Sequence, residues 1–408
     1  MKCRFCNNHL EHMFVDLGKT PLANSYLSQE NINKKESFYP LRVFVCSKCF
    51  LVQLDKYESP KNIFTEYAYM SSYSESMLNH VKEFVEKTIE EFNIGKNSQV
   101  VEIASNDGYL LQFYKDCNIP CYGIEPALNV AKIAEDKGIK TITKFFSSQT
   151  AIDLAEKNKK ADLLIAFNVL PHTPNLNDFV KGLKTILNEN GVAVIQFSAY
   201  LLPFLQNVEF DTIYHEHFSF FSVYTLEKIF SSQGLTIFDI EEQSIHGGSM
   251  RIFLKHSENK NIEISKKVSK QIKKETSLGI NKLETYTKFQ EKIDKLKLQI
   301  WNFFLDLKNN KRSIVGYGAP AKATTLLNYC GIDSNLLPYT VDINSYKQNR
   351  FIPGKHIPIL DTKMIFEEKP DYVLILAWNL KEEIMSQMEK ISEWGGKFVT
   401  FIPEVKIH

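Results

Sequence analysis

The chain has 408 residues, with 49 Lys and Arg against 48 Asp and Glu, a formal charge of +1, and 44% apolar and 24% charged residues. At about 150 residues per domain this makes two or three globular domains, and the charge balance excludes a nucleic-acid binder that works by bulk electrostatics. No apolar run of about 18 residues is present to span a membrane, and Met1-Lys2-Cys3 opens without the apolar core of a secretion signal; a cytoplasmic protein is expected, with no membrane or nucleic-acid partner.

Four of the seven cysteines form two Cys-x-x-Cys pairs, Cys3/Cys6 and Cys46/Cys49. In a reducing compartment this pattern suits one tetrahedral zinc held by four thiolates, with the interval between the pairs folded as a small sheet. Four protein ligands leave no open position, so the metal is read as structural. Four unrelated buried thiols are the alternative, and Cys117, Cys121 and Cys330 read as buried bystanders.

A helix is predicted around Met77 to Phe92, after which strands and helices alternate. Strands are expected near Gln99–Ala104, Cys121–Ile124, Asp162–Phe167 and Val192–Phe197, and helices after Gly108, around Val130–Lys137 and over Leu176–Leu187. That alternation means a parallel sheet covered on both faces. From about Glu258 to Arg312 the chain is rich in Lys and Glu with apolar residues at helical spacing, which predicts one or two long amphipathic helices. A second alternating region starts at Ser313-Ile-Val-Gly-Tyr-Gly and runs through Tyr339–Asp342, Tyr372–Ala377 and Lys397–Phe401. The expected class is α/β: a zinc-binding β module over 1–66, a doubly wound Rossmann-like domain over 67–257, and a helical connector with a second Rossmann-like domain over 258–408.

The first β-α junction reads Glu102-Ile-Ala104-Ser-Asn106-Asp107-Gly108-Tyr109-Leu110. A strand, an acidic residue and a turn ending in Gly let backbone approach a ligand closely. Glu125-Pro126 ends the next strand, where a carboxylate can grip two ribose hydroxyls. The pyrophosphate fingerprint Gly-x-Gly-x-x-Gly is absent, and Glu102 would repel phosphates. S-adenosylmethionine (SAM), with a ribose and no phosphate, fits better than NAD.

Tyr214-His215-Glu216-His217 packs a phenol, two imidazoles and a carboxylate together. Extended, it would point both histidines one way and Glu216 the other; as a turn, it would let Glu216 and His217 line one cleft. Metal ligation by the two histidines, a structural histidine pair and acid/base chemistry are the competing readings, and the last is preferred. Carbon methylation requires a carbon nucleophile, and a carbon beside a ketone becomes one when a base removes its proton. Farther on, Gly316-Tyr317-Gly318-Ala319-Pro320-Ala321 matches Gly-x-Gly-x-x-Ala, with Asp342 where a ribose acid would fall. The same helix start, with Lys322, can hold the diphosphate of a nucleotide sugar. His246-Gly-Gly-Ser249 reads either as a plain turn or, with Arg251, as a wall of the acceptor pocket.

These segments occur in order with Tyr67-Ala-Tyr69 and Asn168-Val-Leu-Pro-His172, and together they resemble the SAM-dependent sugar C-methyltransferases that act at C3 of nucleotide-linked 4-keto deoxysugars. The resemblance implies His217 as the base, with Glu216 and Tyr214 supporting it or holding the sugar. It also implies Tyr67 and His172 near the acceptor or enolate oxygen, and Asn168 at the cofactor. Tyr317 and Ala319 would line the nucleotide-sugar site. Ala104 stands where that family has Gly, and Pro171 precedes His172 where a small residue is usual. An NAD-dependent nucleotide-sugar oxidoreductase and a catalytically silent nucleotide-sugar binding protein are the alternatives; a monomer is favoured.

Overall fold

A computed structural model describes residues 1–55, 70–73 and 75–408. The N-terminal sheet is antiparallel. Strand His12–Thr20 buries alternate stretches of its length and pairs with Tyr39–Val45, which pairs with Val52–Leu54. Each Cys-x-x-Cys is closed by a backbone bond back to its first cysteine, from Asn7 to Cys3 O (3.0 Å) and from Phe50 to Cys46 O (2.9 Å). Asn7 and Phe50 take positive φ to complete these turns. The two knuckles face one another: Sγ atoms lie 3.5 Å apart for Cys3–Cys49 and for Cys6–Cys46, and all four lie within 4.8 Å. A tetrahedral zinc with Zn–S bonds of about 2.3 Å requires sulfur separations of about 3.8 Å. The Gln53 amide donates to Cys3 Sγ (3.3 Å) and the Asn8 amide to Cys46 Sγ (3.8 Å), as suits thiolates. The four cysteines therefore fit a closed zinc site.

The second sheet has seven strands in the order 235–243, 249–256, 187–197, 161–167, 100–103, 121–124, 141–142. The five from Leu187–Phe197 to Thr141–Ile142 are parallel, and the hairpin Leu235–Gln243/Ser249–His256 adds antiparallel strands at one edge. Strand Val100–Ile103 is buried along its whole length, as expected of a strand covered on both faces. The chain order reverses beside it, so its carboxyl end is a topological switch point, where doubly wound sheets bind ligands.

The third sheet repeats the plan. Strands 358–360, 340–341, 314–317, 372–375 and 397–400 are parallel, and Ile314–Tyr317 sits at the reversal. The connector predicted as one or two long helices is Lys266–Ser277 and Phe289–Asn309 with a single turn, Glu284–Thr287, between them. Gly279 at φ +84 ends the first, in a conformation glycine adopts freely. No helix among the described residues is long and apolar enough to cross a membrane.

The sheets exchange strands. Ser219–Phe220 joins the N-terminal sheet against Val52–Leu54, and Leu27–Ser28 joins the C-terminal sheet against Arg350–Phe351. Phe14, Phe204 and Phe289, from three regions of the chain, stack in one core, with Phe289 5.0 Å from Phe14 and 5.1 Å from Phe204. Loss of zinc should therefore loosen more than the first 55 residues. Cys46→Ser is expected to remove one bound zinc and cost more than about 2 kcal/mol of stability. Metal analysis and thermal unfolding check this, and an unchanged midpoint with zinc gone would contradict it.

Candidate active site

At the carboxyl end of Val100–Ile103 the chain turns through two left-handed residues, Ala104 (φ +53) and Asn106 (φ +49). Glu125, at the end of the next strand, accepts from the Asn106 N–H (2.9 Å) and the Ala127 N–H (2.8 Å), fixing the loop. Asp107 Oδ2 takes the Ser72 hydroxyl and lies 3.4 Å from Lys137 Nζ. The Ser71 N–H donates to Asn106 Oδ1 (3.0 Å). Ser71, Ser72 and Lys137 escape sequence reasoning because neither their type nor their spacing marks them as loop contacts.

Among the described residues, several buried acceptors here have no donor: both Glu102 oxygens, Asp107 Oδ1 and Asn168 Oδ1. Burial, then the neighbouring Glu125 and Asp107 carboxylates, push the Glu102 carboxyl well above its ordinary range. An orphaned, crowded acidic cluster is relieved by a ligand carrying positive charge and hydroxyl donors. SAM has both, in its ammonium, sulfonium and ribose. Gly108 has φ +76, and a Cβ there would lie 2.4 Å from Ile139 Cδ1, so close packing requires glycine. Tyr109 and Leu110 are buried behind this loop, and Pro126 follows Glu125 at its rim.

Strand Ala161–Phe167 leads to Asn168 (φ +55) and the short turn Leu170–His172. His172 Nδ1–H donates to the Glu216 carbonyl (2.9 Å), and its ring centroid is 4.9 Å from that of His217. Burial holds His172 down to about 4, so it is neutral at pH 7. The Tyr214–His217 segment is a turn, closed by His217 N–H on Tyr214 O (2.9 Å). His217 Nδ1–H donates to the Thr212 carbonyl (2.8 Å), and Nε2 accepts from the Tyr214 hydroxyl (2.7 Å). The Glu216 carboxylate takes the Asn24 amide (2.7 Å) and is pushed up to about 7 by burial. His215 points elsewhere, to the Pro40 carbonyl (3.2 Å) and the Tyr39 ring. The two histidines therefore do not converge on one ion, and the cysteine cluster is the one group among the described residues able to hold a metal.

In the third sheet, Asp342 accepts from the Ala319 N–H (2.8 Å) and the Asn344 N–H (2.8 Å). The Ala319 carbonyl takes both Tyr26 OH (2.6 Å) and Lys347 Nζ (2.9 Å). Tyr317 is buried within its strand. Lys322 directs its ammonium to Asn379 Oδ1 (2.7 Å) and over the Trp378 ring (4.1 Å), beside the Asp211 and Glu209 carboxylates. Arg251 is buried in the second sheet and spends its guanidinium on Gln196, Glu241 and His80, apart from the His217 cluster. Tyr67 and Tyr69 lie outside the described residues, as do the side chains of Tyr73 and His246.

Sequence profiles of three families match in succession: a zinc binding domain over residues 3–64, a methyltransferase domain over 77–240 and a C-methyltransferase C-terminal domain over 244–403. The C-methyltransferase NovU of Streptomyces niveus is 31% identical over 406 residues, which is 100% of this chain and 96% of that one. Among solved structures, a SAM-dependent methyltransferase from Clostridium acetobutylicum ATCC 824 is 16% identical with a TM-score of 0.36, covering 44% of this chain and 92% of its own. The magnesium protoporphyrin IX methyltransferase ChlM of Synechocystis PCC 6803, with bound SAM, is 15% identical with a TM-score of 0.33, covering 43% and 78%.

Two outcomes follow from the geometry. A left-handed alanine costs about 1 kcal/mol relative to glycine, so Ala104→Gly should raise the unfolding midpoint while SAM binding persists; a lowered midpoint would contradict the strain. Glu216 holds its proton more tightly in the folded chain than in the unfolded one, so it costs stability as pH rises from 4.5 through about 7. Glu216→Gln should therefore gain on the parent protein by up to about 3 kcal/mol between pH 4.5 and pH 8. Thermal unfolding at both values reads it, and a pH-independent difference would contradict it.

Proposed function

The chain belongs to the C-methyltransferase family and is a SAM-dependent methyltransferase, and from that premise we propose that it methylates C3 of a nucleotide-diphosphate-linked 4-keto deoxysugar through an enolate generated by His217. The observation that carries this reading is the His217 tautomer. With Nδ1–H committed to the Thr212 carbonyl, Nε2 holds the basic lone pair. In the absence of acceptor that lone pair faces the Tyr214 hydroxyl. When the keto sugar binds, the hydroxyl turns to the ketone oxygen, freeing Nε2 and supplying a donor where negative charge develops.

Nε2 then takes the C3 proton, and the C3–H electron pair moves into the enolate. Glu216, protonated in part near neutral pH, is a second donor within the same turn. His172 has spent its Nδ1–H on the Glu216 carbonyl, so its Nε2 carries the lone pair and suits a hydroxyl rather than an oxyanion. SAM, when bound, would supply an electrophilic methyl: C3 bonds it as the S–CH₃ bond breaks, the electron pair stays on sulfur in S-adenosylhomocysteine, and the enolate returns to the ketone. Glu102, Asp107, Glu125 and Asn168 hold that donor at the carboxyl edge of the sheet. His172, four residues past Asn168, brings His217 to the same edge.

The diphosphate is assigned to the N–H groups at the start of the Ala321–Cys330 helix. The oxidoreductase alternative raised by Gly316-Tyr-Gly318 gives way to family membership. Ala104 does not argue for a silent protein, because it holds the left-handed conformation that the loop requires.

A panel of keto-sugar nucleotides incubated with SAM should yield one product heavier by a CH₂ by mass spectrometry. His217→Asn should leave SAM binding intact and reduce both methylation and solvent deuterium exchange at C3 by at least about 100-fold. Retained turnover in that variant would remove His217 from the mechanism.

A further inference from the structure

Two hydrogen bonds from the C-terminal lobe reach Asp211 and Ile213, in and just after the turn Phe210–Thr212 that precedes the Tyr214–His217 segment. Asp211, fully buried, accepts the Trp378 indole N–H at 2.7 Å. Lys322 lies over that indole, its ammonium 4.1 Å from the ring centroid and held by Asn379. The Thr325 hydroxyl donates to the Ile213 carbonyl at 2.7 Å. The turn is internally closed by Thr212 N–H on Glu209 O (3.0 Å) and Ile213 N–H on Phe210 O (3.1 Å), so it moves as one piece. The residue after Asp211 is Thr212, whose carbonyl receives His217 Nδ1–H.

From this continuity we infer that Asp211 is a positioning residue for His217, tied through Trp378 to the C-terminal lobe. The inference rests on the reading of His217 as the base. Packing of Phe210 alone would seat the turn in the core but would not set the direction of its next carbonyl. The Asp211–Trp378 bond fixes the rotation of the turn, and so aims the Thr212 carbonyl at Nδ1. If that carbonyl swings away, the imidazole loses its bias toward the tautomer with a basic Nε2. A wrong tautomer at a catalytic imidazole costs up to about 10⁴-fold in rate.

The test uses the full-length zinc-loaded protein with ¹⁵N-labelled histidine, the His217 signal being assigned by its loss in His217→Asn. The wild-type spectrum should show Nδ1 protonated. Trp378→Phe keeps an aromatic face for Lys322 but removes the N–H, and Asp211→Ala removes the acceptor. Both should show a mixed tautomer and at least a tenfold fall in kcat with SAM affinity unchanged. Asp211→Asn keeps an oxygen for the indole and should restore the wild-type tautomer and kcat to within about threefold. An unchanged His217 signal in Trp378→Phe and Asp211→Ala overturns the inference, as does an equal fall in SAM affinity and kcat. Because the spectrum needs no turnover, it separates this outcome from failure of the base assignment, which shows instead as methylation surviving in His217→Asn.

Discussion

A buried imidazole can accept a proton only if one ring nitrogen keeps its lone pair, and that requires the other to be committed as a donor. The Thr212 carbonyl imposes this on His217. Much of the surrounding architecture consists of ways to keep that carbonyl and that ring in register. The turn carrying Thr212 is pinned by Trp378 and Thr325 from the C-terminal lobe. The ring is flanked by Tyr214 and His172. The Glu216 side chain between them is held by Asn24 from the N-terminal module. The hydrogen bonds among these are worth about 1 kcal/mol net each, and those from Trp378 and Thr325 are buried, so losing one partner there leaves a desolvated polar group behind.

The two parallel sheets use the same device at their switch points. In the second sheet Glu125 receives the Asn106 N–H, and in the third Asp342 receives the Ala319 N–H. In both, a carboxylate at the end of one strand fixes the loop leaving its neighbour. The consequences differ because the surroundings differ. Around Glu125 lie acceptors without a partner among the described residues, both Glu102 oxygens and Asp107 Oδ1, so the cluster is acidic. Around Asp342 lies Lys347, 3.6 Å away, so the charge is already balanced.

Much of this was legible in the residues. Cys3/Cys6/Cys46/Cys49 announce their geometry by spacing, and the alternating apolar runs announce two parallel sheets. The Glu102–Gly108 turn and Glu125 fall where the fold's own logic puts a ligand. The orientation of Tyr214–His217 was not legible, because period-two and turn readings of four residues are equally self-consistent. The structure has the turn, closed by His217 N–H on Tyr214 O. Asn24 and Trp378 were invisible for a different reason. They reach the site across separations of 192 and 167 residues, and an Asn or a Trp without local pattern carries no signal of its partner. Arg251 sat in a suggestive motif, yet its strand turns it into the sheet, where Gln196 and Glu241 use it as a strut.

The zinc module, which contributes no open coordination position, still bears on the chemistry through position. Arg4, inside the first cysteine knuckle, donates to the Phe218 carbonyl at 3.0 Å, next to the Tyr214–His217 turn. The Thr225 hydroxyl donates to the Cys49 carbonyl in the second knuckle. Asn24 and Tyr26, in the interval between the knuckles, bridge Glu216 to the Ala319 carbonyl of the C-terminal lobe. A module of about 55 residues is marginal alone, and a zinc held by the four cysteines would let it serve as a rigid bracket between two larger lobes. Asn24 and Arg4 thus tie the module that carries the four cysteines to the Tyr214–His217 turn and the residue after it by hydrogen bonds.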